Sequence, residues 1–250
     1  MDNKESFKTE FDIFKSKVSN FFYHYKWHTI FASFFVVVIS IMVFQMCSSE
    51  SSDLKIMYAG PEVLADTESA AVEKAIMDIG NVYLEEKMDK VTLYELTIMN
   101  DEELREVYDD YGGSINPDML RKNREIFAHQ ALSDEYFLLF LSPECYQIYK
   151  NNECLVPLSS MGITAETVLP QQAYDQYSFK LTSLDAAKFY TALGVFPEDT
   201  LVCVKRINKL NPGNGEEVQK EHITVFKKMI MFKLPDDFVA QTPANPEGNQ

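Results

Sequence analysis

Two short segments, 60–62 and 142–144, come at the ends of strongly apolar runs of the sequence. These runs are 54–60 and 135–142. The six residues of the segments are Gly60, Pro61, Glu62, Ser142, Pro143 and Glu144. Parallel strands end at one edge of a sheet, and α/β proteins bind ligands there, so the two segments are expected to lie together. A helix starting after each segment would point N–H groups at an anion or a small polar ligand. The sequence therefore predicts a ligand-binding edge; the alternative is that Gly60 and Pro143 only form turns and start helices.

Catalytic patterns are missing from the sequence. It contains no GxSxG, HExxH, Walker A or GxGxxG pattern. His129 and His222 lie on predicted helices away from any Ser or Cys motif, so each is expected to be a surface or core histidine. The chain is therefore expected not to be an enzyme and to need no cofactor and no metal ion. A hydrolase with an unrecognised site is the weakest alternative.

Cysteines and one basic pair give further expectations. Cys145 and Cys154 are nine positions apart across a turn, a spacing that allows a disulfide between them but does not require one. Cys203 has the context of a buried strand residue. Lys205 and Arg206 are expected to form a solvated strand end.

One segment is apolar enough to cross a membrane. Residues 29–46 carry no charged side chain, and with Trp27 and His28 the run reaches about 20 residues, the length of a spanning helix. We therefore predict a transmembrane helix at 27–47. The alternative is a lipidated Cys47 after cleavage, but Met46 is not the small residue that such cleavage requires. An uncleaved anchor is the preferred interpretation.

The N-terminal 26 residues combine lysines with an apolar stripe. Seven apolar positions recur at helical spacing: Phe7, Phe11, Phe14, Val18, Phe21, Phe22 and Tyr25. This predicts a cytoplasmic amphipathic helix at 1–26, lying on the inner leaflet or docked on a membrane partner. Lys15, Lys17 and Lys26 precede the span, so the N-terminus is expected in the cytoplasm and the rest outside. The predicted location is thus the cell membrane, with a single pass.

The exported part is acidic. Of the 23 Lys+Arg and 38 Asp+Glu, 5 and 4 lie in residues 1–26, which leaves 18 bases and 34 acids after the span. This surface would repel nucleic acid, which is therefore not an expected partner. We predict a linker at 48–53, an extracytoplasmic domain at 54–234 and a disordered tail at 235–250.

Strand and helix signals alternate along the exported chain. Strands are expected at 54–60, 91–99, 135–142, 177–181 and 200–207. Helices are expected at 67–90, 100–113, 116–132, 143–151, 183–193 and 216–232. This alternation predicts an α/β fold: a single lobe with a mainly parallel sheet and helices on both faces. The amphipathic helix and the transmembrane helix precede it.

Two resemblances follow from particular segments. The stretch FAHQALSDEYFLLFLSPECYQIYKNNECLVPLSSMG, which contains the loop 153–158, resembles part of the extracellular solute-binding proteins of type II. With the first strand, about 150 exported residues are similar to one lobe of such a protein. The layout YHYKWHTI, one span and DLKIMYAGP is also similar to uncharacterised single-pass membrane proteins of Gram-positive bacteria. Solute-binding proteins close two lobes over a ligand, whereas this chain has room for one.

These observations favour a membrane-anchored extracytoplasmic domain whose function is to bind a ligand or interact with a partner protein. The expected partners are the lipid bilayer and another membrane or envelope protein, with a small polar ligand as a further candidate. The domain would act as an accessory to that protein. The alternative function is a solute-binding receptor of a transporter.

Overall fold

A computed structural model describes residues 15–16, 23, 25–28, 30–43, 52–82, 87–105, 116–164, 173–208 and 215–238. The chain divides into two compact units, Met1–Ser51 and Ser52–Gln250. The predicted amphipathic stripe, apart from Tyr25, lies outside the described residues, as do Cys47 and the tail from residue 239.

The first unit contains one long apolar helix, α1 (Tyr25–Val43). Its 19 residues give a length of about 28 Å, which matches the hydrocarbon core of a bilayer. None of its described side chains is buried. Length and composition suit a membrane span and equally suit a signal sequence, so the orientation of the chain stays a prediction.

The second unit is built on one five-stranded sheet. Its strands are β1 (Leu54–Gly60), β2 (Val91–Thr97), β3 (Leu138–Leu141), β4 (Ser178–Lys180) and β5 (Leu201–Val204). They lie in the order β2-β1-β3-β5-β4. β1 pairs in parallel with β2 and β3, whereas β5 is antiparallel to both β3 and β4. Four strands therefore run in one direction, and the prediction of a mainly parallel sheet is confirmed.

Helices connect these strands. They are α2 (Asp66–Asn81), α3 (Pro117–Gln130), α4 (Pro143–Asn151), α5 (Asp185–Phe189) and α6 (Gly215–Met231). Residues 101–105 are also helical. Short 3₁₀ turns occur at Leu158–Met161, Leu181–Ser183 and Thr191–Val195. Asn116 is the N-cap of α3, where its side chain accepts the N–H of Asp118, and Pro117 follows it.

Helices cover both faces of the sheet. On one face, Ile56 and Tyr58 of β1 share a core with α2 and α6. On the other, Met57 and Ala59 share a core with α3 and α4. Because successive strand residues point to opposite faces, a central strand buried on both sides needs an unbroken apolar run. The segment LKIMYAG meets this requirement from Ile56 to Gly60, whereas Lys55 near its start is partly exposed and pairs with Glu135 at 2.7 Å.

The helix predicted at 67–90 ends earlier, at Asn81. The Asn81 side chain bonds to the backbone of Met88, accepting its N–H at 2.7 Å and donating to its carbonyl at 3.1 Å. This pairing takes the chain out of the helix. At the start, the N-cap is Ala65. The Glu68 carboxylate accepts the N–H of Ala65 at 2.8 Å.

β2 lies at an edge of the sheet, where side chains from two helices cover its outer backbone groups. The carboxylate of Glu73, on α2, accepts the N–H of Leu93 at 2.8 Å. The amide of Asn123, on α3, donates to the carbonyl of Thr97 at 3.0 Å. An uncovered edge strand is a template for pairing with another chain. These two side chains therefore protect β2 from such pairing.

Lys205 is the clearest departure from the sequence-based expectations. Arg206 is exposed as expected, but Lys205 is completely buried. Its ammonium lies at the C-terminal end of α3, donates to the carbonyl of Ser133 and lies 3.4 Å from a carboxylate oxygen of Asp134. Burial lowers the pKa of Lys205, while Asp134 opposes the shift. The prediction of a solvated lysine is wrong, because the ammonium caps a helix end and pairs with a buried acid.

The three described cysteines are free thiols. Cys145 and Cys203 are buried, and Cys154 is partly exposed. The Cys154 thiol lies 3.4 Å from the carbonyl of Asn152. The disulfide that the spacing of Cys145 and Cys154 left open is therefore not present in this structure.

Candidate functional site

The structure brings the two predicted polar segments to one edge of the sheet. The N–H of Ser142 donates to the carbonyl of Ala59 at 2.8 Å, and the N–H of Ile98 donates to that of Gly60 at 2.8 Å. The ends of β1, β2 and β3 are thus joined directly by hydrogen bonds. The sheet order reverses between β1 and β3, which is where open α/β sheets bind ligands.

Tyr58 shapes this edge, although no motif in the sequence marks it. Its ring is buried, 4.8 Å from the ring of Phe196 between centroids. Its hydroxyl accepts the N–H of Glu62 at 3.1 Å. A Cβ at Gly60 would lie only 2.5 Å from this hydroxyl oxygen. Gly60 is therefore required by the tyrosine beside it, and the tyrosine hydroxyl occupies space at the end of β1.

Ser142 has a local structural role. Its side-chain oxygen accepts the N–H of Cys145 at 3.4 Å and so caps α4. Pro143 then occupies the first turn, where a missing N–H costs nothing. The backbone donors of Glu62, Ser142 and Cys145 are all used within the fold, which leaves few for a ligand. Among the six predicted residues, Glu62 and Glu144 are the ones with exposed side chains.

The charged side chains near this edge are mostly acidic. Burial raises the pKa of Tyr58, and the carboxylates of Glu62 and Glu103 raise it further. Burial also raises the pKa of the Cys145 thiol to about 12, with a further increase from Glu144 and Glu103. Arg124 opposes these acids, but its guanidinium donates to the carbonyl of Met99. These carboxylates would repel an anion bound at the segments 60–62 and 142–144, and they favour a neutral or cationic group there.

A second polar cluster is centred on Asp175. Its carboxylate accepts hydrogen bonds from the Tyr146 hydroxyl at 2.6 Å, the Lys150 ammonium at 2.7 Å and the Ser178 hydroxyl at 3.0 Å. Burial opposes ionisation, but these donors outweigh it and lower the pKa of Asp175. Because the carboxylate is saturated with donors from the fold, the cluster fixes the loop before β4 onto α4.

The two candidate histidines differ in environment. His129 is exposed on α3. His222 is buried on α6, where its ring nitrogens lie 2.7 Å from the carbonyl of Val218 and 2.9 Å from that of Lys55. Burial lowers the pKa of His222, against the effect of the two carbonyls. In the part of the chain that the structure describes, no group of three or more His, Cys, Asp or Glu side chains would hold a metal ion.

An aromatic surface lies away from the strand ends. Its rings contact one another at centroid distances of 5.0 to 5.8 Å. We define the aromatic patch as these rings together with the exposed methionine that precedes Phe232 in the sequence: Phe189, Tyr190, Met231, Phe232 and Phe238. The exposed fractions of Phe189 and Met231 are 37% and 51%. Sequence reasoning missed this surface because its members come from α5, from the end of α6 and from the predicted tail.

Comparisons with protein-family models, with curated proteins and with solved structures find no match. The resemblances to a solute-binding lobe and to single-pass membrane proteins therefore stay predictions.

Proposed function

We propose that this protein is a membrane-anchored extracytoplasmic interaction domain that serves as an accessory to another membrane or envelope protein. In this proposal α1 holds the chain in the bilayer, and the unit 52–250 binds the partner. The observation that carries the proposal is the aromatic patch. Phe189 and Met231 are exposed and the other rings of the patch are partly exposed. Clustered aromatic and methionine side chains at a surface are typical of protein-binding surfaces.

The residues at the carboxyl ends of β1 and β3, which we call the strand-end site, favour an interaction domain over an enzyme. Tyr58 fills part of the edge, and the backbone donors of Glu62, Ser142 and Cys145 are bonded within the fold. Catalysis needs a nucleophile or base with an adjacent partner in reach of substrate. The Cys145 thiol is buried and its pKa is raised to about 12, so it would be protonated and unreactive at neutral pH.

A solute-binding receptor is the second candidate, and the reversal of strand order beside Gly60 and Ser142 favours it. A receptor needs a cleft between two lobes, however, and the described part of 52–250 forms a single sheet with two helical layers. With one lobe, a solute would stay open to water on one side. The interaction domain is therefore the better-supported proposal.

The test is purification of the full chain from native membranes in mild detergent, followed by quantitative mass spectrometry. A matched variant replaces Tyr25–Val43 with an unrelated membrane span of equal length. If 52–250 carries the interaction, the same stoichiometric protein partner should accompany both forms. Loss of the partner with the exchanged span would assign binding to the membrane helix. A small solute in place of a protein would favour the receptor.

The orientation has its own measurement. Protease added to intact spheroplasts should digest the unit that begins at Ser52 and spare the lysine-rich N-terminus. A protected C-terminal unit would contradict the extracytoplasmic assignment.

A further inference from the structure

We infer that the aromatic patch is the docking surface for a basic amphipathic segment of the partner protein, one that presents apolar side chains flanked by Lys or Arg. This inference rests on the proposed function and names the chemistry of the partner. It is carried by the arrangement of the rings and by the charges around them.

The rings of the aromatic patch are already arranged for binding a partner. Phe189 lies 5.3 Å from Phe232 and 5.7 Å from Phe238 between ring centroids, and 5.0 Å from Tyr190. The backbone fixes two of them, since the N–H of Tyr190 donates to the carbonyl of Ala186 and that of Phe238 to the carbonyl of Pro235, each at 2.9 Å. Aromatic side chains held in this way bind with little further loss of conformational entropy.

Three exposed acids lie around the aromatic patch. Asp236 and Asp237 are exposed directly before Phe238, and the carboxylate of exposed Asp78 is close enough to Tyr190 to add to the rise in its pKa that burial causes. These three acids form no ion pair within the described residues. The nearby bases are Lys188, which pairs with Asp185 at 2.9 Å, Lys228, whose ammonium donates to the carbonyl of Gly80, and the exposed Lys233.

This charge decides which occupant fits. An anionic lipid surface also accepts aromatic side chains, but the carboxylates beside the rings would be repelled by it. A basic segment gains from both features, because its apolar side chains cover the rings while its cations face the acids. The overall excess of acids over bases after the span acts in the same direction.

The test uses the full chain in phosphatidylcholine nanodiscs, which carry no net charge. The probes are two fluorescein-labelled 14-residue amphipathic peptides, one of Leu and Lys and one of Leu and Glu, followed by fluorescence anisotropy. The double variant Phe189→Ser/Met231→Ser changes the two most exposed members of the patch. The matched control is Leu132→Ser, since Leu132 is an exposed apolar residue beyond α3, with a 63% exposed fraction.

The Leu/Lys peptide should bind the unaltered chain and Leu132→Ser with equal Kd. It should bind the double variant at least about tenfold more weakly, which equals about 1.4 kcal/mol. Asp236→Asn/Asp237→Asn should weaken binding and reduce its salt dependence, and the Leu/Glu peptide should not bind. Equal affinity for the double variant, or for the two peptides, would overturn the inference, as would no binding of the Leu/Lys peptide. A native partner that co-purifies despite such a result would leave the proposed function standing and refute the basic chemistry inferred for the partner's segment.

Discussion

Replacing Gly60 by alanine tests the geometry of the strand-end site. The added Cβ would lie 2.5 Å from the hydroxyl oxygen of Tyr58 and 2.8 Å from its Cζ. Tyr58 is fully buried against Phe196 and cannot swing into solvent. The ring must therefore shift within a packed core, and the hydrogen bond from the N–H of Glu62 should break.

The magnitude follows from two contributions. Overpacking of a core costs about 1 to 3 kcal/mol, and a lost hydrogen bond about 1 kcal/mol. We expect Gly60→Ala to lower the free energy of unfolding by about 2 to 4 kcal/mol, a shift of roughly 5 to 15 °C in Tm for a unit of this size. Gly194→Ala is the matched control, because a Cβ there meets nothing within 4 Å. Its effect should stay within about 0.5 kcal/mol.

Buried thiols provide the assay. Cys145 and Cys203 are inaccessible in the folded unit, and burial raises the pKa of both, so a maleimide dye should label them only on unfolding. Measurements use a Cys47→Ser/Cys154→Ser background, which leaves these two thiols. Fluorescence is followed against temperature in mild detergent.

A second variant sharpens the result. Tyr58→Phe removes the closest atom, so Tyr58→Phe/Gly60→Ala should be more stable than the sum of the two single effects predicts. A Gly60→Ala shift no larger than that of Gly194→Ala would refute the argument. Strict additivity in the double variant would show that the hydroxyl is not the obstacle.

Three further predictions concern other parts of the second unit. Glu73→Ala/Asn123→Ala should uncover the edge of β2 and cause self-association that increases with concentration in light scattering; an unchanged mass would contradict the protective role. His222 has a folded-state pKa below that of the unfolded chain, so its stabilising contribution is present above about pH 6.5 and lost as the pH falls below it. Tm should therefore fall between pH 7.5 and 5.5, and less in His222→Gln; equal slopes would contradict this. Lys205→Met should leave the Asp134 carboxylate buried without its cation and cost about 3 to 5 kcal/mol, part of which Asp134→Asn should restore; a neutral Lys205→Met would count against the pair.

The central sheet was predictable because a strand that is buried on both faces requires a run of consecutive apolar residues in the sequence. A buried apolar run such as 56–60, followed by Pro61, is typical of a central strand, and the N-cap at Asn116 follows from local chemistry. The direction of β5 was not predictable, because a run of four buried residues looks the same in a parallel and an antiparallel pairing.

The remaining differences arise from contacts between residues distant in sequence. Lys205 is buried because its ammonium binds a carbonyl just beyond the end of α3. The hydroxyl of Tyr58 fits beside Gly60 because Gly60 has no side chain. Asn81 ends a helix because Met88 returns to it. Hydropathy patterns describe each residue among its sequence neighbours, so they contain no information about such partners. The aromatic patch was missed for the same reason.

Photocrosslinking in intact spheroplasts tests the central claim most directly, namely that the second unit binds a protein partner outside the membrane. The full chain carries Phe189→p-benzoylphenylalanine, and the control carries Leu132→p-benzoylphenylalanine. The proposed function predicts one discrete adduct from position 189 with a membrane or envelope protein, digested by external protease and missing from the control. No adduct from position 189, or the same adducts from both positions, would contradict it.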